Sequence, residues 1–144
     1  MKRVSDILAS KGHEIWSVTP TTSVFDALRL MAEKRIGAVL VLKDGELVGL
    51  FSERDYARKI ILVGKSSKDT PVSEIMSREL ICVEPTQPTA VCIRLMTDNR
   101  IRHLPVMGGG KLLGIVTIGD VVKAIIADQE QEIEQLQHYI TGTV

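Results

Sequence analysis

Apolar and polar residues recur along this chain with two different periods, and the two periods appear in the same order twice. In SVFDALRLMAEKR, Val24, Ala27, Leu28 and Met31 fall three and four apart, the spacing of one helix face, with Ser23 and Asp26 placed as a capping pair at its start. IGAVLVL, KDGE and LVGLFS follow: two β-rich runs joined through Asp-Gly, which predicts a hairpin. After Asp55 the pattern of YARKIILV turns helical again. The same order returns in RHLPVM, the glycines 108–110, KLLGIVT and a helix from about Asp120. Pro105 has no amide hydrogen, so its strand is expected at an edge, or its backbone leaves the ladder there.

Laying residues 18–56 over 83–121, a constant shift of 65, gives 13 identities in 39 positions, among them Pro20 with Pro85, Arg35 with Arg100, Gly49 with Gly114 and Asp55 with Asp120. Upstream, VSDIL at 4–8 resembles VSEIM at 72–76 at a shift of 68. A β-α-β-β-α unit of this size leaves one sheet face bare, and two wholly independent domains of 144 residues in all would be poorly buried. The expected fold class is therefore α+β: two β-α-β-β-α repeats packed face to face with pseudo-twofold symmetry. The expected boundaries are 1–66 for the first repeat, 67–128 for the second and 129–144 for a C-terminal helical extension.

In that extension Val122, Ile126, Gln129, Ile133, Leu136 and Ile140 alternate spacings of four and three, a heptad seam with one glutamine. It suits either a helix packed back on its own core or a dimer contact. The connector GKSSKDTP at 64–71 contains Gly64-Lys65-Ser66, but a phosphate-binding loop needs a glycine at 59, where Lys59 stands.

Composition narrows the function classes. With 18 basic and 18 acidic residues there is no surplus for holding a nucleic-acid backbone. No run approaches a membrane span, and MKRVSDILASKG lacks the apolar stretch of a signal peptide, so a cytoplasmic location and no membrane partner are expected. Cys82 and Cys92, with nine residues between them and within apolar patterns, read as buried reduced thiols.

Chemistry is concentrated in GLFSERD at 49–55 and GIVTIGD at 114–120. A glycine admits close backbone approach, a hydroxyl can bond an oxyanion, and the start of a helix offers N–H groups and a positive dipole end. An ionised aspartate beside them can accept both hydroxyls of a ribose. The simpler reading makes Ser52 and Thr117 N-caps and the aspartates first-turn charges.

VSDIL and VSEIM, TPTTSVFDALRLM and EPTQPTAVCIRLM, RIGAVLVL and RIRHLPVM, with the two Gly-h-h-Ser/Thr-x-x-Asp segments, together resemble a tandem pair of CBS domains, the cystathionine-β-synthase type repeat, over nearly the whole chain. The resemblance implies a stand-alone regulatory (Bateman) module. Adenosine ligands such as AMP, ADP, ATP, S-adenosylmethionine or NAD would occupy clefts between the repeats, and two modules would pair into a homodimer. Carried onto this chain, it implies that Asp55 and Asp120 hold ribose hydroxyls and that Ser52 and Thr117 contact phosphate. Ile36, Gly37 and Ala38, and Arg102, His103 and Pro105, would border the adenine. Around its aspartate the first copy has Glu53, Arg54, Arg58 and Lys59 where the second has Ile118, Gly119, Val122 and Lys123, so the first site is expected to take more phosphate charge. No nucleophile-base set or metal cluster is visible, so no catalytic function is expected and the output would pass to a separate effector protein. The alternative is an interaction scaffold that binds no ligand.

Overall fold

The computed structural model describes residues 2–141; Met1, the start of the first expected repeat, and residues 142–144, the end of the expected extension, lie outside the described residues. Along the chain run α1 (Val4–Lys11), β1 (Ser17–Val18), α2 (Val24–Lys34), β2 (Ala38–Lys43), β3 (Glu46–Ser52) and α3 (Glu53–Tyr56). A π-helical turn (Ala57–Ile61) and a 3-10 turn (Val72–Glu74) come next, then α4 (Thr89–Asn99), β4 (His103–Gly108), β5 (Lys111–Thr117) and α5 (Ile118–Thr141). The strands form two sheets, β1-β2-β3 and β4-β5, in a mixed α and β protein.

Local chemistry explains these elements. Ser23 caps α2 by accepting the Asp26 amide at 3.0 Å. The helices α2 and α4 end alike, with Arg35 (φ 55°) and Arg100 (φ 54°) in the left-handed conformation. The amides of Ile36 and Ile101, each at 3.0 Å, reach back to the carbonyls of Met31 and Met96. The repeated Arg-Ile pair is thus a helix stop. Because an L-residue in this conformation costs about 1–2 kcal/mol, Arg35→Gly is expected to stabilise the protein. Glycine's greater freedom in the unfolded chain reduces the net gain to roughly 0.5–1 kcal/mol. Urea unfolding reads the gain directly, and an unchanged or lower midpoint contradicts it.

Both hairpins turn through two residues of positive φ, Asp44 (51°) with Gly45 (80°) and Gly109 (58°) with Gly110 (75°), the backbone that matches strand twist. Each carries a bulge at the same place, between Val41 and Leu42 in one sheet and between Val106 and Met107 in the other.

The compact units do not coincide with the sequence repeats. Residues 14–80 form one unit, whereas the N-terminal residues to His13 join Ile81 onward in the other. In the first unit the segment VSEIM supplies Val72, Ile75 and Met76 to the core around Val24, Met31, Val39, Val41, Phe51 and Ile60. In the other, VSDIL supplies Val4, Ile7 and Leu8 to the core around Met96, Leu104, Val106, Val116 and Val121. Each VSxI segment therefore closes the sheet of the repeat that does not follow it in sequence. Linear repetition cannot reveal this, because either segment presents the same apolar face.

Pro105 does what its missing amide requires. In the first sheet Leu40 N donates to Trp16 O at 3.3 Å, within the parallel pairing of β1 and β2. At the equivalent place Pro105 cannot donate, and the ladder shrinks to a single bridge between Val83 and Val106. Val83 still donates to Pro105 O at 2.9 Å and accepts from Met107 N at 2.8 Å, and Pro105 keeps its pairing with Ile115 of β5.

The cysteine expectation is half corrected. Cys92 is buried, but Cys82 is exposed; both are free thiols. Val83 points into the core, and neighbouring side chains of an extended backbone point to opposite faces, which turns Cys82 outward. The helical extension expected from residue 129 is the second half of α5, which runs unbroken from Ile118. Its seam does not pack back on its own core: every residue from Gln129 to Thr141 is exposed.

Candidate functional site

In the unit of residues 14–80, β3 ends at Ser52, and α3 begins with a reciprocal capping box. Ser52 N donates to Asp55 Oδ2 at 3.0 Å, and Asp55 N donates to Ser52 Oγ at 3.3 Å. The hydroxyl also donates to Asp55 Oδ2 at 3.2 Å. Asp55 Oδ1 lies 3.2 Å from Lys59 Nζ, one helical turn on, and 3.5 Å from Ser77 Oγ. Lys59 in turn donates to Ile75 O at 3.0 Å. Asp55 is buried, at 8% exposure, so these partners replace water that its charge would otherwise need.

The second repeat builds the same turn with different cations. Thr117 N donates to Asp120 Oδ2 at 2.9 Å and Asp120 N to Thr117 Oγ1 at 3.2 Å. The cation is Lys11, at the end of α1: its Nζ lies 2.7 Å from Asp120 Oδ2 and donates to Ile115 O at 3.0 Å. Burial raises the Asp120 pKa, but the Lys11 ammonium and the Thr117 amide outweigh it and hold the carboxyl below the usual carboxylate value. At the shift of 68, the position equivalent to Lys11 is Glu79; at the shift of 65, the one equivalent to Lys59 is Ala124. Each copy thus has one lysine on its aspartate, drawn from a different element. Lys11 was absent from the sequence reading, since no local pattern connects it to a residue more than a hundred positions away.

The other expected residues gather by repeat. Gly37 O accepts the Glu53 amide at 3.1 Å, Ala38 pairs across the sheet with Ser52, and half-buried Ile36 closes α2 beside them. Arg54 and Arg58 are exposed on the helix that follows. In the second copy Arg102 O accepts the Ile118 amide at 2.9 Å, and half-buried His103 pairs with Thr117, while Pro105 is buried two residues on. Strand starts and helix starts therefore meet in both units, which brings all fourteen expected residues into two sets.

The turn hydroxyls and the glycines also have local partners. Of the first three amides of each helix, the first and third are already bonded, to Gly37 O and Ser52 Oγ in one copy and to Arg102 O and Thr117 Oγ1 in the other. The helix starts are capped from within, and the capping reading of Ser52 and Thr117 is realised. The glycines make room for side chains: a Cβ on Gly114 would lie 2.8 Å from Leu8 Cδ2, and one on Gly49 would fall on Met76, 2.8 Å from its Cγ. In the connector, the carbonyls of Thr70 and Ser67 accept the amides of Val24 and Phe25, each at 2.9 Å. A phosphate loop presents amides, whereas this segment presents carbonyls.

What remains available at the two turns differs. Asp55 has bonds on both oxygens, while the Thr117 amide and the Lys11 ammonium both fall on Oδ2 of Asp120. An oxygen held in place by a capped turn and a lysine is oriented to accept a hydroxyl.

Comparison with known proteins agrees with this architecture. The family model "CBS domain" matches residues 4–62 and 72–127. A solved structure of a protein with CBS domains from Burkholderia ambifaria MC40-6 is 51% identical, with a TM-score of 0.86 over 89% of this chain and 96% of its own. The mitochondrial CBS domain-containing protein CBSX3 of Arabidopsis thaliana is 44% identical over 96% of this chain and 72% of its own length. A more distant structure, the CBS domain pair of protein MJ0100 in complex with 5′-methylthioadenosine and S-adenosyl-L-methionine, has a TM-score of 0.76 at 22% identity, a likeness of fold. Two capped strand-to-helix turns, two matches to one family model and close likeness along nearly the full chain place this protein in the CBS domain family, as a tandem pair.

Proposed function

We propose that the chain is a regulatory module that binds an adenine nucleotide (AMP, ADP, ATP or NAD) at its capped turns and signals to a separate effector protein through a change of conformation. The observation that carries this reading is Asp120: a half-buried carboxylate, kept ionised by Lys11 and the Thr117 amide, with Oδ1 outside those bonds. A ribose diol offers two donors to such a group. His103 and Arg102 stand at the start of the strand paired to Thr117, where a base can lie against them. Arg54 and Arg58 give the first turn two exposed guanidinium forks where the second has Gly119 and Lys123, so longer phosphate chains are assigned there. That a distant CBS pair holds adenosine compounds supports the ligand class at the level of the fold. No catalysis is assigned: a carboxylate engaged by lysine and ribose is a poor general base. The assigned compartment is the cytoplasm, and the assembly a homodimer; among the described residues no helix is long and apolar enough to cross a membrane.

Thermal unfolding with AMP, ADP, ATP and NAD in turn tests the proposal. Ligand at about 100 times its Kd stabilises by about 2.7 kcal/mol, which for a chain of this size shifts Tm by several degrees. No shift with any of the four would favour the scaffold alternative, for which the exposed seam of α5 speaks.

A further inference from the structure

The second half of α5 is a helix without a support. From Gln129 to Thr141 it is exposed throughout, a length of roughly 20 Å at the helical rise. A free helix of that length is marginal in water. Yet it carries large apolar side chains in the open: Ile126 at 47% exposure, Ile133 at 55%, Leu136 at 60% and Ile140 at 79%. In heptad terms Ile126, Ile133 and Ile140 occupy the a positions, and Val122, Gln129 and Leu136 the d positions. β-Branched residues at all three a positions, with Leu136 at one of the three d positions, suit a two-stranded parallel pair.

We propose that α5 pairs with α5 of a second copy of this chain as a parallel, in-register two-stranded coiled coil over Ile126–Ile140. Charge selects both the occupant and the direction. The flanking g and e positions hold Ile125, Glu132 and Tyr139, and Lys123, Glu130 and Gln137. A parallel pair sets each g against the partner's next e, so Glu132 meets Gln137 and Ile125 meets Glu130, and no acid faces an acid. An antiparallel pair over the same seam sets g against g and e against e, bringing Glu132 against Glu132 and Glu130 against Glu130. It would also lay Gln129 on Ile133. In the parallel register Gln129 meets its own copy, where each amide can bond the other, a polar layer that fixes register at some loss of stability. The same seam in both chains makes the contact isologous and closed.

Site-specific crosslinking of the full-length chain, in a Cys82→Ser background, tests direction and register together. Under mild oxidation Gln129→Cys is expected to give a covalent dimer that reductant reverses, while Gln131→Cys, an outward f position, is not. Adding Ile133→Asp should reduce the Gln129→Cys crosslink by at least about tenfold, because it places two charges in the seam. Ile133 is exposed, so the thermal midpoint of the folded units should not move. Three outcomes overturn the proposal: no crosslink at 129, equal crosslinking at 129 and 131, or preferential crosslinking of a Gln129→Cys chain to an Ile133→Cys chain. A chain that sediments as a monomer at all concentrations, with α5 protected from hydrogen exchange only by a different protein, overturns it as well.

Discussion

Replacing Asp120 with alanine is expected to weaken nucleotide binding at the second repeat by about 10- to 100-fold, as loss of one hydrogen bond to a charged acceptor implies at about 1.5–3 kcal/mol. The same substitution removes a capping partner, which costs about 0.5–2 kcal/mol, and leaves Lys11 facing Ile115 O alone. Calorimetry well below the melting temperature separates the two effects: a folded variant with wild-type affinity at both turns would remove the ribose role from Asp120. Asp55→Ala serves as the internal comparison, because its carboxylate belongs to the other unit and holds Lys59 and Ser77. Asp120 also sets a pH dependence. Its folded pKa lies below the ordinary value of 3.8, so its contribution to stability is complete above that value. The contribution fades as pH falls from there through the folded pKa. The difference in unfolding free energy between the wild-type protein and Asp120→Asn should therefore be constant near neutrality and shrink below about pH 4. A difference that grows on acidification would contradict the ion pair.

The second large effect is expected at Leu8, which lies at the start of the first repeat in sequence but is 2% exposed in the core of the unit that contains β4 and β5. Leu8→Ala should cost about 2–5 kcal/mol, a sizeable part of the roughly 5–15 kcal/mol that holds a typical domain. The location of the loss matters more than its size. Hydrogen exchange should quicken first at Leu104, Val106 and Val116, whose side chains share the Leu8 core, and not at Val39 or Val41. Met76→Ala should show the opposite pattern, since Met76 lies in the other core against Gly49. Faster exchange at Val39 and Val41 in Leu8→Ala would contradict the assignment of VSDIL to the second repeat.

Much of this was legible because it depends on neighbours in sequence. The Ser23 cap, the Asp44-Gly45 turn and the Ser52–Asp55 and Thr117–Asp120 boxes each join residues no more than three apart. A short-range hydrogen bond or a positive φ leaves its mark in the residue types themselves. Pro105 was half legible: its missing amide was certain, but which side of β4 it faced was not. The two glycines of GLFSERD and GIVTIGD were read as room for a ligand, whereas the close neighbours are Met76 and Leu8. The demand for a missing Cβ was visible; the atom that makes the demand was not.

The sequence by itself determined the repeat, the order of helix and hairpin, the caps and turns, and the hydroxyl–carboxylate pair at each strand-to-helix junction, since all of these follow from local periodicity and backbone chemistry. Only the tertiary structure decided which VSxI segment covers which sheet and which lysine neutralises which aspartate. It also decided that the second half of α5 stands clear of its own core. Those outcomes depend on contacts such as Lys11 with Asp120 and Leu8 with Gly114, made across about a hundred residues of chain. Two nearly equivalent apolar segments could satisfy either sheet by composition alone. Chain reach and packing select between them.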